Sequence, residues 1–326
     1  MKYQIPHSAS SLSAYFFQEI SRRSHSVQIY RESLIPPDSL SENALQNISG
    51  KNSQTNLSAD LAFKTTLFKS LQLEFIYHIN VVNSFTVQST KLSDLSANAA
   101  NMKDSLSQSI YLNNNINQSF RIDLQQKIGA KLLLNGGLGF QTSILKGNDK
   151  ATEVRQVFNT ILPTIMLTYK PTKSQSVKLN FRVVTNDPTT RQIQNIIDYS
   201  NPLLIYAGNP SIKQQKSYLA GLNYTLITRT RYHTLMSGLN FTAISGRISN
   251  LTFVNTSKDA VEIDGIVVAP GVQLIKPSNM NGYKKNGAYL NATFNLRKSA
   301  KIFSNTAWSS VREIFFINGI SGNTEK

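Results

Sequence analysis

The sequence predicts an all-β protein, and three observations support this fold class. Segments 120–127, 177–183 and 288–297 alternate apolar and polar side chains, which is the pattern of a strand with two different faces. Short connections alternate with long polar ones along the chain. No uninterrupted apolar run approaches the roughly 18 residues that a membrane-spanning helix requires. Together these features favour strands over helices throughout the chain.

Period-two alternation predicts about twelve strands in all. The first two are expected to be separated by a turn at Arg22, and the others by polar or glycine-containing connections. The strands are expected near residues 11–20, 24–34, 54–68, 71–88, 114–128, 131–146, 154–170, 175–186, 216–229, 232–255, 283–298 and 301–315.

Four long polar connections are expected, at residues 35–53, 89–113, 187–215 and 256–282, with a shorter one near Gly147. Tight turns separate them. Long loops at one end and tight turns at the other are typical of a transmembrane barrel, whose two ends face opposite sides of the membrane. We therefore expect an antiparallel, up-and-down transmembrane β-barrel. A soluble β-sandwich, the alternative, would scatter its long loops between both ends.

The composition narrows the functional class. Charged residues make up only 16% of the 326 residues, against about 25% in a typical soluble domain. The absence of cysteine excludes a disulfide scaffold and a zinc–thiolate site. The net charge is +16, but the basic residues are scattered and follow no nucleic-acid-binding motif. We expect a solvated surface or contact with anionic lipid, and no nucleic-acid partner.

The sequence contains no pattern that indicates catalysis, a metal or a cofactor. Its histidines are His7, His25, His78 and His233, and they share no metal-ligand spacing. The glycine-rich stretch 136–139 is not followed by the third glycine of the G-x-G-x-x-G pattern or by the helix that a dinucleotide site needs. We therefore expect neither an enzyme nor a cofactor-binding protein.

One part of the sequence contains motifs that are more specific than the alternating pattern of the strands. Residues 186–195 read NDPTTRQIQN, residues 198–203 read DYSNPL and residues 208–214 read GNPSIKQ. A later stretch, 276–283, reads KPSNMNGY. In this order the pieces resemble the outer-membrane β-barrel family of TonB-dependent receptor-like proteins. Faint repeats of strand pairs extend the resemblance over most of the chain.

The resemblance implies more than this sequence contains. Complete members combine an exported N-terminus, a plug domain and a barrel of about 22 strands, within the range known for outer-membrane barrels. We find no signal peptide after Met1, no plug and no aromatic C-terminal residue. We therefore interpret 1–326 as a partial barrel domain in the bacterial outer membrane. An open sheet edge is not tolerated in lipid, so the isolated chain is not expected to be stable there.

The family resemblance also implies a function, the energy-coupled uptake of a bulky solute. The expected partners are outer-membrane lipid, the plug and remaining strands, and an inner-membrane TonB-type complex that acts through the plug. Loops on a rigid scaffold commonly bind ligands, and the expected ligand-facing residues of the 187–215 loop are Arg191, Gln194, Asn195, Tyr199 and Tyr206. The alternatives are a passive porin or surface barrel and a soluble carbohydrate-binding β-protein. These residues could also serve only to fold the loop.

Overall fold

The computed structural model describes residues 2–4, 10–35, 40–94, 105–148, 153–194, 196–201, 203–228, 233–297 and 300–325. Within them lie one short helix, α1 (Thr190–Ile193), and nineteen strands. The strands are β1 (Lys2–Gln4), β2 (Ser11–Ile35), β3 (Leu40–Phe68), β4 (Leu71–Asp94), β5 (Ser105–Ile128), β6 (Leu132–Asn148), β7 (Glu153–Tyr169), β8 (Gln175–Asn186), β9 (Ile197–Asn201), β10 (Leu204–Ala207), β11 (Gln215–Ile227), β12 (Thr234–Ser245), β13 (Arg247–Val254), β14 (Val261–Ile263), β15 (Ile266–Val268), β16 (Gln273–Met280), β17 (Tyr283–Arg297), β18 (Ala300–Ile317) and β19 (Ile320–Glu325).

Most of the strands form one antiparallel wall. Strands β2 to β8 pair in chain order, β8 pairs with β11, and β11 continues through β12, β17 and β18 to β19. Short turns connect the strands at one end, as at 69–70 and 170–174. The prediction of an all-β, up-and-down antiparallel sheet is confirmed.

The two faces of the wall differ in polarity. Tyr77, Phe120, Phe140 and Ile161 occupy one cross-strand row, and Ile161 is 61% exposed. We call this apolar side the outer face. The other side, the inner face, carries polar and charged groups such as the pair Arg121 and Asp123, with 2.9 Å between Nε and Oδ2. Such alternation is the pattern of a barrel with lipid outside and a polar interior.

Several strands are longer than predicted. Residues 11–35 form the single strand β2, so the expected turn at Arg22 is wrong; Arg22 pairs with Ser53 in an unbroken ladder. Most of the expected loops at 35–53 and 89–113 is also strand, because β3 begins at Leu40 and β4 ends at Asp94. These segments are rich in Ser, Asn and Gln. Where both faces of a strand meet water, hydrophobic alternation is lost while backbone pairing remains.

The connections that follow β8 and β13 fold into a compact unit at the end opposite the short turns. We call it the cap and define it as residues 187–215 and 247–280. Strand β16 pairs antiparallel with β13 and parallel with β10, and β10 pairs with β9. The hairpin β14–β15 forms a separate two-stranded sheet. The cap has its own apolar core of Ile205, Ala207, Ile266, Val268, Val272 and Leu274.

The predicted strand at 232–255 is divided in two. Strand β12 ends at Ser245 and β13 begins at Arg247, on either side of Gly246, whose φ is +61°. The partner strand is interrupted at the same level, where Gly282 has a φ of +109°. A positive φ is accessible to glycine at little cost, and the two breaks redirect the chain from the wall into the cap.

The wall is not closed in the described part of the chain. Strand β2 pairs with β3 along its length, and its other edge meets only the three residues of β1. At the far side, β18 pairs with β17, and with β19 only from Arg312 onward. The described residues therefore form an arc of barrel wall with two free edges.

Candidate functional site

The helix α1 at the start of the cap is fixed by its own sequence. Thr189 is the N-cap residue; its side chain accepts a hydrogen bond from the backbone N–H of Gln192, and the Gln192 side chain accepts one from the N–H of Thr189. This reciprocal arrangement is a capping box, which satisfies two helix-terminal donors. It sets the direction of a helix of only four residues as the chain leaves the wall.

The helix packs against the inner face of the wall. Ile193, Leu145 and Ile212 form a buried cluster that joins α1, β6 and the segment before β11. Gly147 in β6 leaves room for this contact, because a Cβ there would collide with the Thr190 side chain. The cap is therefore attached to the wall by apolar packing.

The Gly-Asn-Pro element passes beneath the helix. Its Asn209 donates its backbone N–H to the carbonyl of Gln192 at 2.6 Å, and Gly208 donates to Ile196 at 3.1 Å. A Cβ at position 208 would collide with the backbone carbonyl of Gln194. Glycine is therefore needed here because two backbone segments approach closely.

The two motifs that carried the family resemblance contact each other. Asn209 donates from Nδ2 to the carbonyl of Pro277 at 2.9 Å. Asn279 accepts from the N–H of Lys213 at 2.7 Å and donates from Nδ2 to the carbonyls of Lys213 and Gly246, both at 2.8 Å. The GNP and KPSN sequences thus hold the two connections of the cap together.

An exposed ionic and aromatic group lies on this framework. Arg191 Nη2 donates to Asp198 Oδ2 at 3.0 Å, and the Arg191 guanidinium lies 4.7 Å from the centre of the Tyr206 ring. Asp198 and Tyr206 are neighbours in the β9–β10 ladder. Burial raises the pKa of Tyr206, and the Arg191 cation opposes this by lowering it. Arg191 and Tyr206 form a half-exposed surface that can stack on a ligand and donate hydrogen bonds to it.

The five predicted site residues do not share one environment in the structure. It brings Arg191 and Tyr206 together, whereas the Gln194 side chain is 1% exposed and packs inside the cap. Tyr199 lies in strand β9. Asn195 falls outside the described residues.

Sequence reasoning missed a polar cavity below the cap. It has a volume of about 700 Å³ and lies between α1 and the inner face of β3 to β8. Three asparagines of β5, at positions 113, 115 and 117, line it. The spacing of these asparagines at every second residue was the available signal, since it places all three on one face of a strand.

A comparison with protein families identifies the family of this chain. A model described as the outer membrane protein beta-barrel family matches residues 7–319. This chain belongs to that family. It is a protein of the bacterial outer membrane, and its apolar outer face is the surface that contacts lipid. In such barrels the short turns face the periplasm and the longer connections face outward.

Solved structures support the same fold. The chain is 11% identical to the ferric citrate transporter FecA, with a TM-score of 0.55, over 93% of this chain and 42% of that one. It is 12% identical to BauA, the ferric preacinetobactin receptor from Acinetobacter baumannii, with a TM-score of 0.54, over 95% of this chain and 44% of that one. The chain therefore spans less than half the length of these proteins.

No curated protein sequence matches the chain. The structures named above are described as a transporter and a receptor. Within the described residues, no helix has the length and hydropathy of a membrane span.

Proposed function

We propose that the chain forms the wall and cap of an outer-membrane receptor for energy-coupled, TonB-type uptake of a bulky solute. The observation that carries the proposal is the folded cap, which presents Arg191 and Tyr206 at the outer end of a polar wall. In a passive pore, a packed cap joined to the inner face by its own apolar cluster would obstruct the opening. In a receptor, the same cap provides a preformed binding surface.

The ligand contacts are proposed to lie on the cap. Arg191 and Tyr206 are the main groups, and Asn195 and Tyr199 of the same segment are proposed to contribute. Gln194 would support them from within the cap. A plug domain and the remaining strands would complete the pore, and an inner-membrane energy-coupling complex would act through the plug. The named functions of FecA and BauA, transport of ferric citrate and reception of ferric preacinetobactin, are consistent with this role.

The test is accumulation of labelled solutes by cells. A deletion strain and a strain that carries the gene at its own locus are compared for uptake of radiolabelled ferric citrate, cobalamin and maltoheptaose, with and without a protonophore. The proposal predicts that the deletion abolishes accumulation of at least one solute and that the protonophore has the same effect. Unchanged uptake of all three solutes in the deletion strain would contradict the receptor role. Protonophore-resistant uptake would support a passive barrel.

The cap residues provide the second arm of this test. Arg191→Ala removes a charged hydrogen-bond donor, so accumulation at limiting solute should fall about tenfold. Lys173→Ala, in a short turn at the opposite end of the wall, is the matched control and should leave uptake unchanged. Equal uptake by both variants would place the binding surface elsewhere.

A further inference from the structure

The cavity below the cap has the size of a small-molecule site. Its volume of about 700 Å³ falls within the roughly 300–1,000 Å³ that such sites occupy. One side is formed by the inner face of strands β3 to β8. The other is formed by 186–191, the segment that leads into α1. A molecule in this space would contact both the wall and the cap.

The wall side of the cavity presents unused hydrogen-bonding groups. Within the described residues, Asn113, Asn115 and Asn117 each have a buried side-chain oxygen without a hydrogen-bond partner, as does Asn114 on the outer face. In the same part of the chain, the Asn113 amide nitrogen donates to the Ser84 hydroxyl at 3.3 Å. Buried polar groups are nearly always satisfied, and each exception requires an explanation. The oxygens of Asn113, Asn115 and Asn117 lie in one row that faces the cavity, so water or a molecule bound there can donate hydrogen bonds to them.

Among the described residues that line the cavity, the one cation is already paired. The lining contains one acid, Asp187, and one base, Arg191. The Asp187 carboxylate accepts a hydrogen bond from Gln214 Nε2. The Arg191 guanidinium bonds Asp198 and covers Tyr206. An anionic ligand would have to lose its hydration without a free cation in compensation, which is costly.

The rest of the lining mixes neutral polar and aliphatic side chains. Gln54, Ser84 and Gln141 contribute amides and a hydroxyl, while Leu145 and Leu162 contribute apolar surface. An amide side chain both donates and accepts hydrogen bonds, and so does an alcohol. A molecule with many hydroxyl groups therefore matches this lining whichever way each amide is turned. The apolar carbon faces of the same molecule can contact the aliphatic residues.

We propose that the cavity between β5 and the cap is a binding subsite for an uncharged, polyhydroxylated solute of the oligosaccharide class, held by the Asn113–Asn115–Asn117 row. This inference rests on the proposed receptor function, since it names the solute class that the receptor would take. It differs from the Arg191–Tyr206 surface in position and chemistry. Arg191 lies at the rim, so a longer solute could contact both.

The experiment measures equilibrium binding in membranes without energy. Outer membranes are prepared from cells that express the gene at its own locus. Binding of tritiated neutral oligosaccharides built from glucose, mannose or xylose is compared with binding of radiolabelled ferric citrate. Because no transport is needed, loss of energy coupling would not affect this result, and the two proposals can fail separately.

Three variants separate the amide row from general damage. The double variant Asn115→Leu/Asn117→Leu should weaken oligosaccharide binding by tenfold or more, because the ligand hydroxyls lose their partners. Gln54→Leu, on a different strand of the same cavity, should weaken it severalfold. Asn114→Leu is the matched control: its side chain lies on the outer face and bonds Asn83, so binding should not change. Heat-modifiable migration of each protein on gels monitors folding.

The binding results either support or overturn the proposal. Oligosaccharide binding that is lost in the double variant and retained in Asn114→Leu supports it. Absence of oligosaccharide binding in wild-type membranes would overturn it. Equal binding by wild type and a folded double variant would also overturn it, as would ferric citrate binding that depends on Asn115 and Asn117.

Discussion

At some positions in the cap, close contacts between backbone segments restrict which residue can be present, more than contact with a ligand does. Gly208 shows this clearly, because its Cα faces the carbonyl of Gln194 with no room for a methyl group. The sequence predicts Gln194 as a ligand-facing residue, yet it is 1% exposed. Arg191 and Tyr206 are predicted by the same reasoning and contact each other, with Asp198 as a partner that the sequence does not indicate. A sequence shows that residues share a loop but not which of them the loop buries.

A single methyl group at position 208 should loosen the cap. Gly208→Ala forces two backbone segments apart, and such overpacking typically costs about 1–3 kcal/mol. The expected result is faster tryptic cleavage at Arg191 in intact outer membranes, measured by mass spectrometry of the released peptides. Gly136→Ala is the control, since a Cβ there meets nothing within 4 Å. Equal cleavage rates in the two variants would show that the close approach is absent.

Among the structural elements, the two cap segments are joined by β10–β16 pairing, by a shared apolar core and by the side chain of Asn279. Asn279 makes three hydrogen bonds that join β16 to Lys213 before β11 and to Gly246 at the break between β12 and β13. The sequence identified both segments as motifs but did not show that they contact each other, because they are separated by more than sixty residues.

Removal of the Asn279 side chain should loosen the contact between the cap segments locally without changing the wall. Asn279→Ala removes three hydrogen bonds to exposed or half-buried backbone groups, each of which contributes about 0.5–1.5 kcal/mol. We expect faster amide hydrogen exchange at Lys213 and Gly246 and unchanged exchange in β5 to β7. Asn291→Ala, at an exposed position in β17, should leave both regions unchanged. Faster exchange throughout the wall would mean that the cap and wall are one cooperative unit.

The lengths of the strands show where the alternating sequence pattern no longer predicts a strand. Within the bilayer, β5 was identified correctly, because Phe120, Ile122 and Leu124 alternate with polar residues. Beyond it, residues 40–53 were expected to form a loop and instead extend β3. Apolar and polar side chains are segregated to opposite faces of a strand where the two faces meet different environments. A strand that projects into water on both sides therefore leaves no period-two signal in apolar residues.

At the scale of the whole fold, the described residues form an arc of barrel wall with an apolar outer face, a polar inner face and a packed cap at the end opposite the short turns. The two faces and the cap follow from different physical causes. Lipid selects the apolar residues of the outer face, whereas close backbone packing and asparagine side chains define the cap. Lipid would not tolerate the free edges of β2 and β18 without further pairing.

The measurement that tests this description most directly is solvent accessibility along β5. The sequence contains no cysteine, so single cysteines can be placed at each position from 117 to 124 and spin-labelled in outer membranes. Collision with oxygen reports lipid, and collision with a water-soluble nickel complex reports water. We predict a period of two, with oxygen favoured at 118, 120, 122 and 124, and nickel favoured at 117, 119, 121 and 123. Uniform accessibility, or the reverse assignment of the two faces, would contradict the barrel-wall structure.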